Sequence, residues 1–200
     1  MTLAVVDYGA GNLRSVANAL KYLGCAHDVC DGPAGLESAD RIILPGVGHF
    51  GAAMNELARR GLADAVVRRA RAGVPLLGIC LGLQLLFEAS EEAPGVAGLG
   101  LLEGTVRRLR TRIVPHMGWN RLEFRRENPL TRDLPDKVYG YFANSFAADP
   151  DDPDVVVAVT NQDDVTIPAI VGRDHVAATQ FHPEKSGECG LAMLRNFVQC

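Results

Sequence analysis

The chain contains 200 residues, of which 48% are hydrophobic and 22% are charged, and its formal net charge is −4. This usage is that of an ordinary globular protein, so it excludes a fibrous or disordered chain, and the length suffices for one domain with a sizeable core. The negative charge gives no overall attraction to nucleic acid or to an anionic membrane.

The cysteine pattern and the N-terminal sequence predict a cytoplasmic location. The five cysteines are odd in number and scattered, and they include no Cys-x-x-Cys pair of the kind that holds zinc, so we expect free thiols in a reducing compartment. Residues 1–7 contain neither a basic leader nor a cleavage site, so we expect no signal peptide. No apolar run approaches the ~20 residues that span a bilayer.

Short apolar strands alternate with helical patterns in the first half of the chain. Residues 3–6 are a continuous apolar run, as in a buried parallel strand. Asn12 is placed to cap a helix that Gly24 ends. Further strands are predicted at residues 41–44 and 74–79, and further helices at residues 50–60, 62–72 and 82–89. This rhythm predicts a mostly parallel or mixed sheet with helices on both faces.

The second half is richer in strands. The predicted strands are residues 105–109, 119–124, 138–142, 155–160, 167–171 and 176–181, and a closing helix is predicted at residues 188–198. The short turns between them indicate antiparallel additions or an extension of the same sheet. No linker divides the chain, because the acidic, proline-containing segment 150–154 is short enough to be a surface turn. We therefore predict a single α/β domain over residues 1–200.

Residues 78–82 form the most informative motif, with the sequence Gly-Ile-Cys-Leu-Gly. The motif follows an apolar strand and precedes a helix, and it places Cys80 as the nucleophile of an elbow turn. The flanking glycines fit because only residues without Cβ let strand and helix approach so closely. The alternative is a structural cysteine packed between glycines, which leaves the strand–turn–helix context unexplained. Four further cysteines have no such setting and are predicted to be inert: Cys25, Cys30, Cys189 and Cys200.

A cysteine nucleophile needs a histidine that forms an ion pair with it and later protonates the leaving amine. His182 ends a predicted strand, and Pro183 and Glu184 follow it. Residues two apart in an extended chain point to the same side, so Glu184 is placed to orient the imidazole. Together with Cys80, these residues predict a Cys–His–Glu triad that hydrolyses an amide.

The glycine-rich loop at residues 45–50 follows the strand predicted at residues 41–44. In elbow enzymes the amide after the nucleophile, here that of Leu81, supplies one donor to the oxyanion, and a neighbouring strand–helix loop supplies the second. Gly46 and Gly48 allow this loop to turn its amides toward the developing charge. Without the elbow, a glycine-rich turn with no catalytic role is the simpler interpretation.

Several motifs together resemble a known family. Residues 78–84 and 181–185 resemble the class I (triad) glutamine amidotransferases, which have a flavodoxin-like architecture. Residues 45–50 (Pro-Gly-Val-Gly-His-Phe), 91–96 (Glu-Glu-Ala-Pro-Gly-Val) and 115–120 (Pro-His-Met-Gly-Trp-Asn) narrow the resemblance to the glutaminase subunits of imidazole glycerol phosphate synthase. The resemblance runs from residues 7–12 to the final helix and so covers essentially the whole chain.

The resemblance implies a reaction and a partner. Glutamine is converted to glutamate and ammonia through a thioester on Cys80. The ammonia passes to a separate (β/α)8-barrel cyclase subunit, which makes imidazole glycerol phosphate and an aminoimidazole carboxamide ribonucleotide in histidine biosynthesis. The two subunits form a heterodimer, and no metal, organic cofactor, nucleic acid or membrane is implied.

The resemblance also assigns roles residue by residue. Gln84 and Glu92 are implied in the glutamine pocket, and Asn144, Ser145 and Phe146 match a substrate-holding stretch that usually reads His-Ser/Thr-Tyr. Asn144 and Phe146 depart from that pattern, so we expect the contacts of this stretch to come from its backbone. The positions expected at the cyclase interface and the ammonia exit are Asn12, Trp119, Tyr141 and Lys185.

Glutaminases of this family are nearly silent until the partner binds its nucleotide. The resemblance implies that Val47 or Gly48 must reorient its peptide to complete the oxyanion hole.

Three alternatives stay open from the sequence. In the first, the chain is a glutaminase for another ammonia-using synthase, such as those of pyridoxal phosphate or anthranilate synthesis. In the second, it is a catalytically silent module that binds a partner, although the complete triad speaks against this. In the third, it is a nucleic-acid protein that uses the arginines at positions 107, 108, 110 and 112, although the acidic total charge favours a solvated or partner-facing edge.

Overall fold

The computed structural model describes residues 2–199, so Cys200, predicted to be an inert thiol, lies outside the described residues. The strands are β1 (Leu3–Val6), β2 (Asp28–Cys30), β3 (Arg41–Gly46), β4 (Leu76–Cys80), β5 (Ala89–Ser90), β6 (Gly104–Arg108), β7 (His116–Phe124), β8 (Val138–Asn144), β9 (Phe146–Pro150), β10 (Val156–Gln162), β11 (Val165–Arg173) and β12 (Val176–Thr179). The α-helices are α1 (Leu13–Tyr22), α2 (Ala34–Glu37), α3 (Phe50–Arg59), α4 (Leu62–Arg71), α5 (Leu81–Leu85) and α6 (Gly187–Gln199). Single 3₁₀ turns lie at Pro129–Thr131, Pro153–Val155 and Pro183–Lys185.

Two sheets organise the described residues. The larger sheet has nine strands in the order β2-β1-β3-β4-β12-β11-β10-β7-β8, and the smaller has the order β5-β6-β9. The neighbours from β2 to β12 run parallel, and the neighbours from β12 to β8 run antiparallel. The first half of the chain therefore builds a parallel sheet that the second half extends. This confirms the predicted mixed sheet.

The side chains of β1 alternate between two cores, one on each face of the larger sheet. Ala4 and Val6 lie in a buried cluster with side chains of α2, α3 and α4. Leu3 and Val5 lie in a second buried cluster with side chains of α1 and α6. Helices thus cover both faces, which is why β1 is a continuous apolar run rather than an alternating one.

The helix predicted at residues 82–89 is wrong in its second half, because α5 ends at Leu85. The carbonyls of Leu85 and Leu86 accept hydrogen bonds from the amides of Leu99 and Leu101, at 2.8 and 2.9 Å. Those tertiary bonds replace the next helical turn, and β5 then pairs with β6. The apolar periodicity was not informative here, since a distant segment competes for the same backbone groups.

Three short strands have no counterpart in the sequence prediction. β2 has three residues, two of them exposed, and pairs with β1 at the sheet edge. β5 has two residues, and β9 pairs with β6. Elements this short carry little periodic signal, and pairing with a distant strand decides their conformation. No helix in the described part of the chain has the length and apolar character to cross a membrane.

The parallel strands bring their carboxyl ends to one edge of the sheet. Gly46 of β3 is paired with Cys80 of β4, and Thr179 of β12 is paired with Ile79 of β4. The chain segments that follow β1, β3, β4 and β12 therefore meet at this edge, where open α/β sheets bind their ligands.

Candidate active site

Cys80 ends β4 and stands in a strained turn before α5. Its φ is +54° and its ψ is −106°, a conformation that non-glycine residues rarely adopt. A Cβ on Gly82 would lie 1.9 Å from the carbonyl oxygen of Leu44, and a Cβ on Gly78 would lie 2.8 Å from the carbonyl oxygen of Gly82. The two glycines therefore permit the close passage of strand and helix that the elbow requires.

His182 and Glu184 form a buried pair beside this elbow. Nδ1 of His182 lies 2.8 Å from Oε1 of Glu184, and their side chains are 2% and 0% exposed. The geometry differs from the expected extended chain, because Pro183 begins a 3₁₀ turn over Pro183–Lys185. Glu184 thus reaches the imidazole from within a turn, and proline at the first position of the turn favours that conformation.

The backbone of His182 is also held on several sides. Its amide donates to the carbonyl of Tyr141 at 2.9 Å, and its own carbonyl accepts from the hydroxyl of Ser186 at 2.6 Å and from the amide of Lys185 at 3.0 Å. These bonds fix the position of the imidazole relative to β8.

The pKa of His182 is raised from 6.5 to about 9. Burial by itself lowers this pKa, but hydrogen bonds with Cys80 and Glu184, and the negative charges of both groups, outweigh burial. Because Nδ1 bonds to Glu184, Nε2 is the ring nitrogen left to face Cys80. The site therefore favours an imidazolium next to the sulfur, the protonation state that a cysteine–histidine pair needs.

Asn12 does not cap α1 as predicted. Its φ is +77° and its side chain makes no capping hydrogen bond. Instead Nδ2 donates to Oε1 of Glu184 at 2.8 Å and lies 3.2 Å from Nδ1 of His182. Two donors thus converge on Oε1 of Glu184, while its Oε2 is buried with no partner among the described residues. The segment after β1 therefore supports the orienting carboxylate, a contact for which the sequence gives no local signal.

A cavity of about 160 Å³ adjoins the sulfur. It is lined by Cys80, by the predicted oxyanion residues and by the predicted substrate residues, with Ala143 in addition: Val47, Gly48, Leu81, Gln84, Glu92, Asn144, Ser145 and Phe146. The structure therefore brings residues from four separate parts of the chain together around one cavity.

Glu92 connects the cavity wall to the start of α3, which follows the glycine-rich loop at residues 46–48. Its Oε2 accepts a hydrogen bond from the amide of Phe50 at 2.6 Å, at the N-terminus of α3. The amide of Glu92 itself is bonded to the hydroxyl of Ser90 at 3.1 Å. A carboxylate at the positive end of a helix is stabilised there, so Glu92 fixes the end of the loop that contains Val47 and Gly48.

Asn144 has a structural role that the resemblance did not suggest. Its Nδ2 donates to the carbonyl of Phe146 at 2.9 Å, closing the turn between β8 and β9. The same carbonyl accepts from Nε2 of Gln84 at 2.9 Å. The backbone of this stretch is thereby held against the cavity, although the family's histidine and tyrosine are absent.

The remaining expected interface residues divide into two groups. Trp119 is 56% exposed and contacts Tyr141 edge to face, with 5.9 Å between the ring centroids. Lys185 is also exposed, and it directly follows Glu184 in the sequence. Asn12, by contrast, is half-buried at the triad.

Gln180 is a site residue that the sequence analysis missed. It is fully buried, and its Nε2 lies 3.8 Å from Sγ of Cys80, while its Oε1 accepts from Nε2 of Gln84 at 3.1 Å. A glutamine inside the mostly apolar predicted strand 176–181 was the available signal, because a buried amide needs polar partners.

Comparison with known proteins places this chain close to the glutamine amidotransferases. The family model described as glutamine amidotransferase class-I matches residues 4–200. A Methanothermobacter thermautotrophicus protein, imidazole glycerol phosphate synthase subunit HisH, is 48% identical, covering 98% of each chain. The protein of that name from Bacillus cereus is 46% identical, covering 98% of this chain and 93% of its own. A crystal structure of a glutamine amidotransferase is similar with a TM-score of 0.78 at 25% identity, covering 98% of both chains. The expected class I amidotransferase fold is thereby confirmed.

Gly82→Ala is expected to destabilise the fold by about 3 kcal/mol, because the new Cβ overlaps a backbone oxygen that has no room to move. The control is Gly32→Ala, since a Cβ on Gly32 meets no atom within 4 Å, and it should change stability by no more than about 0.5 kcal/mol. Urea unfolding followed by circular dichroism measures both. Equal midpoints for the two variants would contradict the steric account of the elbow.

His182 is expected to keep its proton until the pH approaches about 9. Its pairing stabilises the folded state fully below 6.5, and that contribution is lost as the pH rises through about 9. Glu184→Gln removes one group that raises this pKa, so the imidazole should titrate at lower pH, as followed by NMR of labelled histidine. The stability difference between wild type and variant should shrink over the same pH window. An unchanged titration would show that Glu184 does not bear on the charge of His182.

Proposed function

Because this chain belongs to the glutamine amidotransferase class-I family, we propose that it hydrolyses glutamine and delivers the ammonia to a (β/α)8-barrel cyclase subunit of imidazole glycerol phosphate synthase. The observation that carries this proposal is the strained Cys80 at a small cavity, with the buried His182–Glu184 pair beside it. The names of the relatives that span the whole chain support the choice of synthase.

In the proposed reaction, the sulfur of Cys80 attacks the side-chain amide carbon of glutamine after its proton has passed to His182. The amides of Leu81 and of Val47 or Gly48 stabilise the negative oxygen of the tetrahedral intermediate. The imidazolium then protonates the leaving nitrogen, ammonia departs, and a γ-glutamyl thioester remains. A water that gives its proton to His182 hydrolyses the thioester, releasing glutamate and restoring the thiolate–imidazolium pair.

A surface suited to the partner lies on the β7–β8 hairpin, and we call it the Trp119 face. It consists of Met117, Trp119, Tyr139 and Tyr141, of which the first three are 65%, 56% and 47% exposed. The strand register pairs Trp119 with Tyr141, so these side chains share one face of the hairpin. Exposed aromatic and methionine side chains grouped in this way are typical of protein interfaces. We place the complex in the cytoplasm, where histidine biosynthesis would occur.

We further propose that the oxyanion loop at residues 46–48 rearranges before the enzyme reaches full activity. Within residues 2–199, the amides of Val47 and Gly48 donate no hydrogen bond. The hydroxyl of Tyr8 is buried, and it too has no partner in that range. A Cβ on Gly46 would lie 2.1 Å from this hydroxyl. An unpaired buried hydroxyl costs about 1–3 kcal/mol, and we infer that a turned peptide at Gly46–Gly48 offers it a carbonyl and so removes this cost.

The contacts of the arginine-rich segment at residues 107–112 argue against the nucleic-acid alternative. Arg107 is paired with Asp149 at 2.6 Å and with Glu91 at 3.4 Å. Glu91 also accepts from the backbone amide of Arg108 at 2.9 Å. Acidic neighbours thus occupy part of the segment that phosphates would need.

Glutamate release from glutamine is the direct test of this function, measured on the chain alone and with the cyclase subunit and its nucleotide. We expect low activity alone and a rise on the order of 100-fold in the complex, because completing one oxyanion donor contributes about that much. The cyclase without nucleotide is the control. Full activity of the chain alone would keep the triad and reject the loop rearrangement, and no activity in any mixture would reject the proposed function.

Cys80→Ser should lower glutamine hydrolysis by on the order of 10⁴-fold or more, because the hydroxyl is a far weaker nucleophile in a site built for a thiolate. The same complex should still make imidazole glycerol phosphate from free ammonia, since that step uses only the cyclase. Cyclisation with glutamine and with ammonium chloride, measured side by side, separates the two. Loss of both activities would indicate a structural role for Cys80.

A further inference from the structure

Gln180 is a buried amide that the proposed mechanism does not use. It follows β12 and precedes the triad histidine by two residues, and its side chain is 0% exposed. Its backbone amide donates to the carbonyl of Ala169 at 2.9 Å, so its Cα is held by the neighbouring strand. Its side chain lies between Gln84 of the cavity wall and the sulfur of Cys80.

The orientation of the Gln180 amide follows from a series of hydrogen bonds that begins at the carbonyl oxygen of Phe146. The carbonyl of Phe146 can only accept, so the group of Gln84 facing it at 2.9 Å is the NH₂ group. The second hydrogen of that NH₂ points to the Gln180 side chain at 3.1 Å, which requires the oxygen of Gln180 there. The NH₂ of Gln180 is then the group that faces Sγ of Cys80 at 3.8 Å.

We propose that Gln180 is a catalytic donor, whose amide N–H holds the anionic sulfur of Cys80 in place for attack on glutamine. This inference deepens the proposed function and rests on it. A hydrogen bond from an amide to an ionised acceptor is stronger than one to a neutral acceptor, and the buried setting strengthens it further. The amide therefore favours the thiolate over the thiol. No covalent step involves Gln180, and the bond weakens when the sulfur becomes a neutral thioester.

The same chain of hydrogen bonds connects the cavity wall to the sulfur of Cys80. Gln84 lines the cavity and fixes Gln180, and Gln180 in turn contacts the sulfur.

Gln180→Met tests the proposal, because methionine has nearly the same length and shape but donates no hydrogen bond. Cys80 in the isolated full chain is alkylated with iodoacetamide across a range of pH, and the modified peptides are quantified by mass spectrometry. We expect the rate at Cys80 to fall about tenfold at neutral pH and its pH profile to move to higher pH, as the loss of a bond to a charged group implies. The free thiol of Cys189 is followed in the same samples as an internal reference.

Thr160→Val is the matched control, since Thr160 is also fully buried and donates to the carbonyl of Arg121 at 2.9 Å, away from the cavity. It should leave the Cys80 profile unchanged. If Gln180→Met does not fold, Gln180→Asn carries the test, because its amide is one methylene too short to reach the sulfur. A shift confined to Cys80 supports the proposal, whereas an unchanged profile, or a shift that Cys189 shares, overturns it. Alkylation requires neither glutamine nor the cyclase, so failure of the proposed function would appear only in the glutamate assay.

Discussion

The close passage of the Gly82 backbone past the carbonyl of Leu44 determines where the nucleophile stands. Because a Cβ at position 82 would lie 1.9 Å from that oxygen, glycine allows α5 to begin directly after β4. The whole change of direction then falls on one residue, Cys80, which takes a φ of +54°. Strain of this kind costs on the order of 1–3 kcal/mol and persists only when the surroundings over-determine it. Here two buried strands and a buried helix do so, and the sulfur is therefore positioned by the backbone.

Every other part of the site is positioned relative to that sulfur by the parallel sheet. β3 and β12 flank β4 in register, so the segments that follow them lie on either side of Cys80. One side supplies the glycine-rich loop at residues 46–48, and the other supplies Gln180, His182 and Glu184. The segment after β1 adds Asn12 behind the carboxylate. The antiparallel half of the chain completes the cavity through the turn between β8 and β9.

The sequence was informative wherever a local motif carries its own physical reason. The elbow and the His-Pro-Glu motif could be predicted because their residues are neighbours in the chain. The carbonyl of Leu44 beside Gly82, and the 3₁₀ turn that brings Glu184 to the imidazole, could not be predicted in this way. Asn12 was assigned to a helix cap, since the local pattern allows it, but a carboxylate from residue 184 competes for the same amide. The end of α5 and the contact of Gln180 with Cys80 depend in the same way on groups far along the chain. The hydrophobic periodicity of a segment carries no information about such distant partners. A three-residue strand such as β2 is too short to show any periodicity.

The bonding around His182 connects the Trp119 face to the imidazole. The imidazole is buried, and its backbone amide is bonded to the carbonyl of Tyr141, whose ring packs against Trp119. The amide of Tyr141 is in turn bonded to the hydroxyl of Ser186, which also donates to the carbonyl of His182. The hairpin and the base therefore form one hydrogen-bonded unit. The start of α3, which follows the loop at residues 46–48, is held separately by the bond from the amide of Phe50 to Glu92. The Trp119 face and the imidazole are thus joined through the backbone of β8 and Ser186, whereas the bond between Phe50 and Glu92 belongs to a separate part of the site.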